Sequence, residues 1–122
     1  MEMSDLALGD SIALGTGQAM RIETVAKIGA SSCWISKHIP KGEYSTVIIS
    51  AGVNDGNGPH CIREIRSQVK ADRVIWIRPI KYTSELVNQI AKEFGDTVVT
   101  YSVGSDGLHP NDYSQIAQKI RG

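Results

Sequence analysis

The chain holds 122 residues, 13 basic against 13 acidic, with 41% hydrophobic and 21% charged side chains. That is the size and composition of one globular domain, residues 1–122, able to bury roughly two-thirds of its unfolded surface. The balanced charge leaves no basic footprint for nucleic acid or an anionic membrane surface, and no apolar run approaches the ~20 residues that span a bilayer.

The N-terminus carries no basic stretch followed by an apolar run, so no signal peptide is expected, and the first strand starts within the first few residues. Four short runs rich in apolar and β-branched residues predict strands: Asp5 to Gly9, Thr46 to Ala51, Arg73 to Arg78 and Thr97 to Val103, with a weaker fifth over Arg21 to Ile28. Val47-Ile48-Ile49 and Val74-Ile75-Trp76-Ile77 are continuous rather than alternating, which suits strands covered on both faces.

Helical spacing fills the intervals. A helix is expected from Ser31 to Ile39, stopped by Pro40-Lys41-Gly42. Ile62, Ile65 and Val69 share one face, as do Leu86, Ile90 and Phe94 with Val87 and Ala91 beside them. Tyr113, Ile116, Ala117 and Ile120 follow the i, i+3, i+4, i+7 pattern. Alternating strands and helices predict βαβ units and an α/β fold, a three-layer α/β/α sandwich on a five-stranded parallel sheet. Ligands of such sheets bind beyond the carboxyl ends of the strands.

Those ends carry the chemistry. The first strand ends in Gly9-Asp10-Ser11, where a serine at a helix start is either an N-cap or a nucleophile beside backbone N–H groups. Asp10 is expected to fix the turn through backbone hydrogen bonds, and Asp55 likewise. The third strand runs into Ala51-Gly52-Val53-Asn54-Asp55-Gly56, a glycine-flanked turn whose Asn54 amide can face the same crevice. The last strand is followed by Asp106-Gly107-Leu108-His109-Pro110. There the carboxylate can accept the imidazole Nδ1–H and leave Nε2 to take a proton from a serine. Each segment alone has an ordinary explanation as a cap or a turn. Together they supply nucleophile, base, orienting acid and oxyanion donor from different strands of one sheet.

These segments resemble the SGNH (GDSL-like) hydrolases. Leu8-Gly9-Asp10-Ser11-Ile12 is similar to the first block of that family, Gly52-Val53-Asn54-Asp55 to its G-x-N-D block, and Asp106-Gly107-Leu108-His109-Pro110 to its D-x-x-H-P block. Gly29, in Lys27-Ile28-Gly29-Ala30-Ser31, stands where the family's oxyanion-hole glycine would be. The resemblance implies a flavodoxin-like sheet and hydrolysis of an O-acyl ester, a carbohydrate acetyl ester among the candidates. It makes Ser11 the nucleophile, His109 the general base and Asp106 its orienting group. The oxyanion donors would be the Ser11 and Gly29 N–H groups and the Asn54 side chain, with no metal and no organic cofactor. The chain is shorter than most members of that family. The trimming falls in loops, so a shallow site is expected, or one completed by another subunit or domain, in a homo-oligomer or assembly.

Other motifs are weaker. Gly9-Asp10-Ser11-Ile12-Ala13 lacks the second glycine of the G-x-S-x-G elbow. Gly15-Thr16-Gly17 matches no phosphate-loop pattern and predicts a glycine turn that breaks the helix after Ser11. Cys33 and Cys61 are too few for a disulfide scaffold and lack metal-ligand spacing, so they are expected as buried or half-buried free thiols. His60 is expected as a solvated loop histidine, His38 as a surface residue, Trp76 as core, and Trp34 as packing or a wall of the site. The expected partner is a small ester or acylated glycan, with no nucleic acid and no membrane, in the cytoplasm or on a phage particle. The reading from another class is a non-catalytic binding or structural module that keeps the fold.

Overall fold

The computed structural model describes residues 4–80 and 83–122. Its elements alternate along the chain: β1 (Asp5–Gly9), α1 (Ser11–Met20), β2 (Glu23–Ala26), α2 (Ser32–Ser36), β3 (Tyr44–Ser50), α3 (Ile62–Gln68), β4 (Ala71–Ile77), α4 (Ser84–Phe94), β5 (Thr97–Val99) and α5 (Tyr113–Arg121). The strands form one sheet in the order β2-β1-β3-β4-β5, and every neighbouring pair is parallel. This is the flavodoxin-like order.

The continuous apolar runs explain the layers. In β1, β3 and β4, Leu6, Leu8, Val47, Ile49, Val74 and Trp76 pack beneath α2, α3 and α4, against Ile35, Ile62, Ile65, Val87 and Ile90. Their neighbours Ile48, Ile75 and Ile77 face the other way, against Ile12, Met20, Ile116 and Ile120 of α1 and α5. A side chain on either face is therefore buried, and each fully buried Ile or Leu contributes about 1.5–3 kcal/mol. The chain steps outward from β1 to β2, then reverses past β1 to β3 and continues to β5. Right-handed crossovers consequently put α1 on one face and α2, α3 and α4 on the other. Trp76 keeps its indole N–H satisfied inside this core by donating to Asp96 Oδ2 at 3.0 Å, and Asp96 also takes a two-pronged bond from Arg66 of α3.

Several sequence expectations need correction. Gly15 and Gly17 do not break the first helix: α1 runs unbroken from Ser11 to Met20. A Cβ on Gly15 would overlap the Tyr113 ring, and one on Gly17 would overlap the Thr24 hydroxyl. The glycines let α5 and β2 approach α1, and tertiary packing overrides their low helix propensity. Arg21 does not open the second strand. It is the left-handed C-cap of α1, with φ 57°, and pairing begins at Glu23. The last strand is shorter than Thr97 to Val103, ending at Val99, while Val103 makes an isolated antiparallel bridge to Pro110. α2 stops at Ser36, well before Pro40, and Val69 lies one residue beyond α3 in extended backbone. Phe94 is 44% exposed rather than core, its ring covered by the Arg66 guanidinium at 4.4 Å.

The cysteines differ most. Cys33 and Cys61 are joined in a disulfide with Cα atoms 4.7 Å apart. Two loops at the same edge of the sheet are hydrogen-bonded to each other there, which brings the thiols together. Among the described residues, no helix is long and apolar enough to cross a membrane.

Candidate active site

In a sheet of this order the crevice opens where the chain reverses direction, between β1 and β3. Ser11 follows β1, Asn54 lies in the loop after β3, and Gly29 lies in the loop after β2, on the other side of β1. The segment 100–112, leaving β5, returns across the edge to α5, which packs on α1.

Asp10, and not Ser11, caps α1. Its Oδ1 accepts the N–H groups of Ile12 and Ala13 at 3.0 and 3.4 Å, as expected of a turn-fixing residue. Ser11 is the first helical residue, so its N–H has no acceptor inside the helix and its hydroxyl is not consumed by capping. That hydroxyl lies 2.9 Å from His109 Nε2, and His109 Nδ1 lies 2.6 Å from Asp106 Oδ2. With the imidazole proton on Nδ1 and donated to the carboxylate, Nε2 accepts the Ser11 O–H. The three groups therefore form a serine–histidine–aspartate relay in the order needed for proton abstraction.

The base loop is braced. Asp106 Oδ1 accepts the N–H groups of Leu108 and His109, each at 2.9 Å. These two bonds, with the His109 side chain, hold the Asp106 carboxyl well below its usual range, at about 2; the Leu108 N–H is the largest influence. Gly104 N–H donates to His109 O, Asn111 N–H to Ser102 O, and the Tyr101 hydroxyl to Leu108 O. Burial, with the charges of Asp10, Tyr113 and Asp106 adding to it, pushes the Tyr101 hydroxyl up to about 12. Beneath the site Asp10 is fully buried, and burial raises its carboxyl to about 6. Its Oδ2 makes no hydrogen bond, though the Ser50 hydroxyl lies near enough to offset part of the burial cost.

The relay is open to solvent. The side chains of His109 and Asp106 are 39% and 52% exposed. A depression of about 260 Å³ beside them is lined by Gly104, Ser105, Asp106, His109, Pro110 and Asn111. A larger one of about 340 Å³ touches Tyr44 and Ala71, at the opposite edge of the sheet from Ser11.

Gly29 is exposed, with φ 78°, a left-handed conformation that favours glycine, and a Cβ there would meet nothing within 4 Å. Asn54 donates one amide hydrogen to Ala30 O at 3.0 Å and has a second to offer. Among the described residues no group of three His, Cys, Asp or Glu side chains could hold a metal ion.

A second set, triad-like in its residues, is Ser32, Asp55 and His60. Here the carboxylate sits in the middle: Ser32 Oγ donates to Asp55 Oδ2 at 2.7 Å, and His60 Nδ1 lies 3.1 Å from the same oxygen. Ser32 is fully buried and hydrogen-bonded to a carboxylate, so no imidazole takes its proton. Asp55 does not cap its own turn: its carboxylate bonds the distant Ser32, a partnership that escaped sequence reasoning. Its trace is the pairing of each cysteine with a neighbour, Ser32-Cys33 and His60-Cys61, at the starts of α2 and α3. His60 is an exposed loop histidine as expected and also bonds Asp55, His38 stacks on Trp34 at the surface, and Trp34 packs partly into the core.

Comparison of the chain with protein-family models, curated proteins and solved structures finds no match. The fold agrees with what the SGNH resemblance implies.

Proposed function

We propose that the protein is a serine ester hydrolase of the SGNH type, with Ser11 as nucleophile, His109 as general base and Asp106 as its orienting carboxylate. The observation that carries this reading is the relay from the Ser11 hydroxyl through both nitrogens of His109 to Asp106. His109 takes the hydroxyl proton as Ser11 Oγ attacks the ester carbonyl, and Asp106 stabilises the imidazolium. The carbonyl oxygen becomes an oxyanion, held by the N–H groups of Ser11 and Gly29 and the Asn54 amide. The intermediate collapses, His109 protonates the leaving alcohol, and an acyl-serine remains. Water, deprotonated by His109, then attacks the acyl carbon, and the acid departs as Ser11 recovers its proton.

The shallow, solvent-open relay and the polar groups beside His109, Ser105 and Asn111, favour a small acyl group on a hydroxylated alcohol such as a sugar. The leaving alcohol must lie on the His109 side, because that imidazole protonates it. The Cys33–Cys61 disulfide supports a virion-borne or otherwise oxidising setting over a reducing cytoplasm.

The test is hydrolysis of p-nitrophenyl acetate by the wild type and by Ser11→Ala. Turnover that depends on Ser11 is expected. Equal rates, or none in either protein, would sink the hydrolase assignment and leave a binding module on this fold.

A further inference from the structure

Ser32, Asp55 and His60 take no part in the relay, yet they sit between the two loops that carry Gly29 and Asn54. Asp55 follows Asn54 directly, and Ser32 is three residues beyond Gly29. The Asp55 side chain is fully buried. Its two oxygens accept three donors: Ser32 N–H at 2.7 Å, Ser32 O–H at 2.7 Å and the His60 ring at 3.1 Å. Ser32 Oγ in turn accepts the Cys61 N–H at 2.8 Å, and the Cys33–Cys61 disulfide joins the same two segments covalently.

We propose that Asp55 is a positioning residue of the oxyanion site, its buried carboxylate clasping the Asn54 loop to the Gly29 loop so that both donors keep their places. This rests on the hydrolase reading above. Gly29 lies in the turn closed by the Ala30 N–H to Lys27 O bond at 3.1 Å, and no side chain packs where its Cβ would be. On its far side the turn continues into Ala30 to Ser32, which Asn54 and Asp55 hold by separate bonds. A carboxylate suits the task because it accepts all three donors, whereas an amide offers one oxygen and would leave a buried donor unpaired. Bonds to an ionised, buried acceptor are also the stronger and more rigid kind. Oxyanion donors contribute only when preorganised, and a displacement of ~1 Å can cost ~10²-fold in rate.

The experiment measures kcat and KM for p-nitrophenyl acetate in the wild type, Ser11→Ala, Asp55→Asn, Ser32→Ala, Asn54→Ala and the Asp55→Asn/Asn54→Ala pair. Each is assayed where circular dichroism reports it folded. Asp55→Asn and Ser32→Ala are each expected to lower kcat by about 10- to 100-fold with KM changed less than about twofold. Because Asp55 positions Asn54 as well as Gly29, Asp55→Asn should cost less in the Asn54→Ala background than in the wild type, the remaining loss being that of the Gly29 donor. Full additivity, or a wild-type kcat in folded Asp55→Asn, overturns the positioning role while leaving the hydrolase intact. Absence of Ser11-dependent turnover in the wild type overturns both. If Asp55→Asn does not fold, Ser32→Ala decides the matter, since it keeps the Ser32 N–H bond to Asp55 and removes only the hydroxyl.

Discussion

Asp10 caps the helix that Ser11 opens, and this division of labour leaves the Ser11 hydroxyl to His109. A serine in the N-cap position, one residue earlier, ordinarily spends its side chain on the free N–H groups of the first turn. Here the preceding carboxylate takes them, at the cost of burying a group that burial pushes up to about 6.

That cost has a pH signature. Asp10 goes from 3.8 when exposed to about 6 when folded, so the folded protein holds the extra proton between those values. Stability contributed by the neutral form is complete below about pH 4 and is lost as pH rises through about 6. Asp10→Asn keeps an acceptor for Ile12 and Ala13 without the charge. Thermal melts should show it gaining on the wild type at pH 8, the gap shrinking toward pH 4. A gap independent of pH would remove the burial argument.

Asp106 has the opposite sign. Its folded carboxyl is lowered from 3.8 to about 2, so its contribution is present above pH 4 and fades as pH falls toward 2. The Asp106 carboxylate therefore stays ionised through mild acid. Asp106→Asn should lower kcat by ~10²–10⁴ because the imidazole loses the partner that keeps its proton on Nδ1. Initial rates measured from pH 5 to 9 check this; an unchanged kcat would detach Asp106 from the relay.

Gly15 tests the helix packing. In an exposed helix, Gly→Ala gains about 1 kcal/mol. In α1 the new methyl would overlap the Tyr113 ring, and overpacking costs about 1–3 kcal/mol. Gly15→Ala should therefore lower the urea midpoint. A raised midpoint would mean that α5 shifts freely on α1.

The disulfide closes a loop between residues 28 apart, for which the chain-entropy estimate is about 3–4 kcal/mol. Cys33→Ser/Cys61→Ser, or wild type in dithiothreitol, should lose stability on that scale in urea titrations. Identical curves with and without reductant would show the bond to be energetically idle.

The strands were legible because burial on both faces removes polar residues from a strand, as in Val47 to Ile49 and Val74 to Ile77. The relay was legible because its members follow strand ends, where the sheet leaves side chains facing the crevice. Other features depended on partners distant in sequence. Gly15 looks like a turn until Tyr113 lies against it. Val103 looks like strand until Pro110 takes its pairing. Cys33 and Cys61 look unrelated until Ser32 and Asp55 join their loops. Nothing local separates Ser32 from its neighbour Ser31, which caps α2, yet one is buried on Asp55 and the other bonds Trp34 N–H.

Ser11 and His109 stand 98 positions apart, and Arg121 at the end of α5 reaches back to the Met20 carbonyl of α1. Ser11 and His109 thus meet only when the last helix docks on the first. During refolding, recovery of any Ser11-dependent turnover should trail the return of sheet signal, and a cut anywhere in the segment 100–112 should abolish that turnover while leaving most of the core standing.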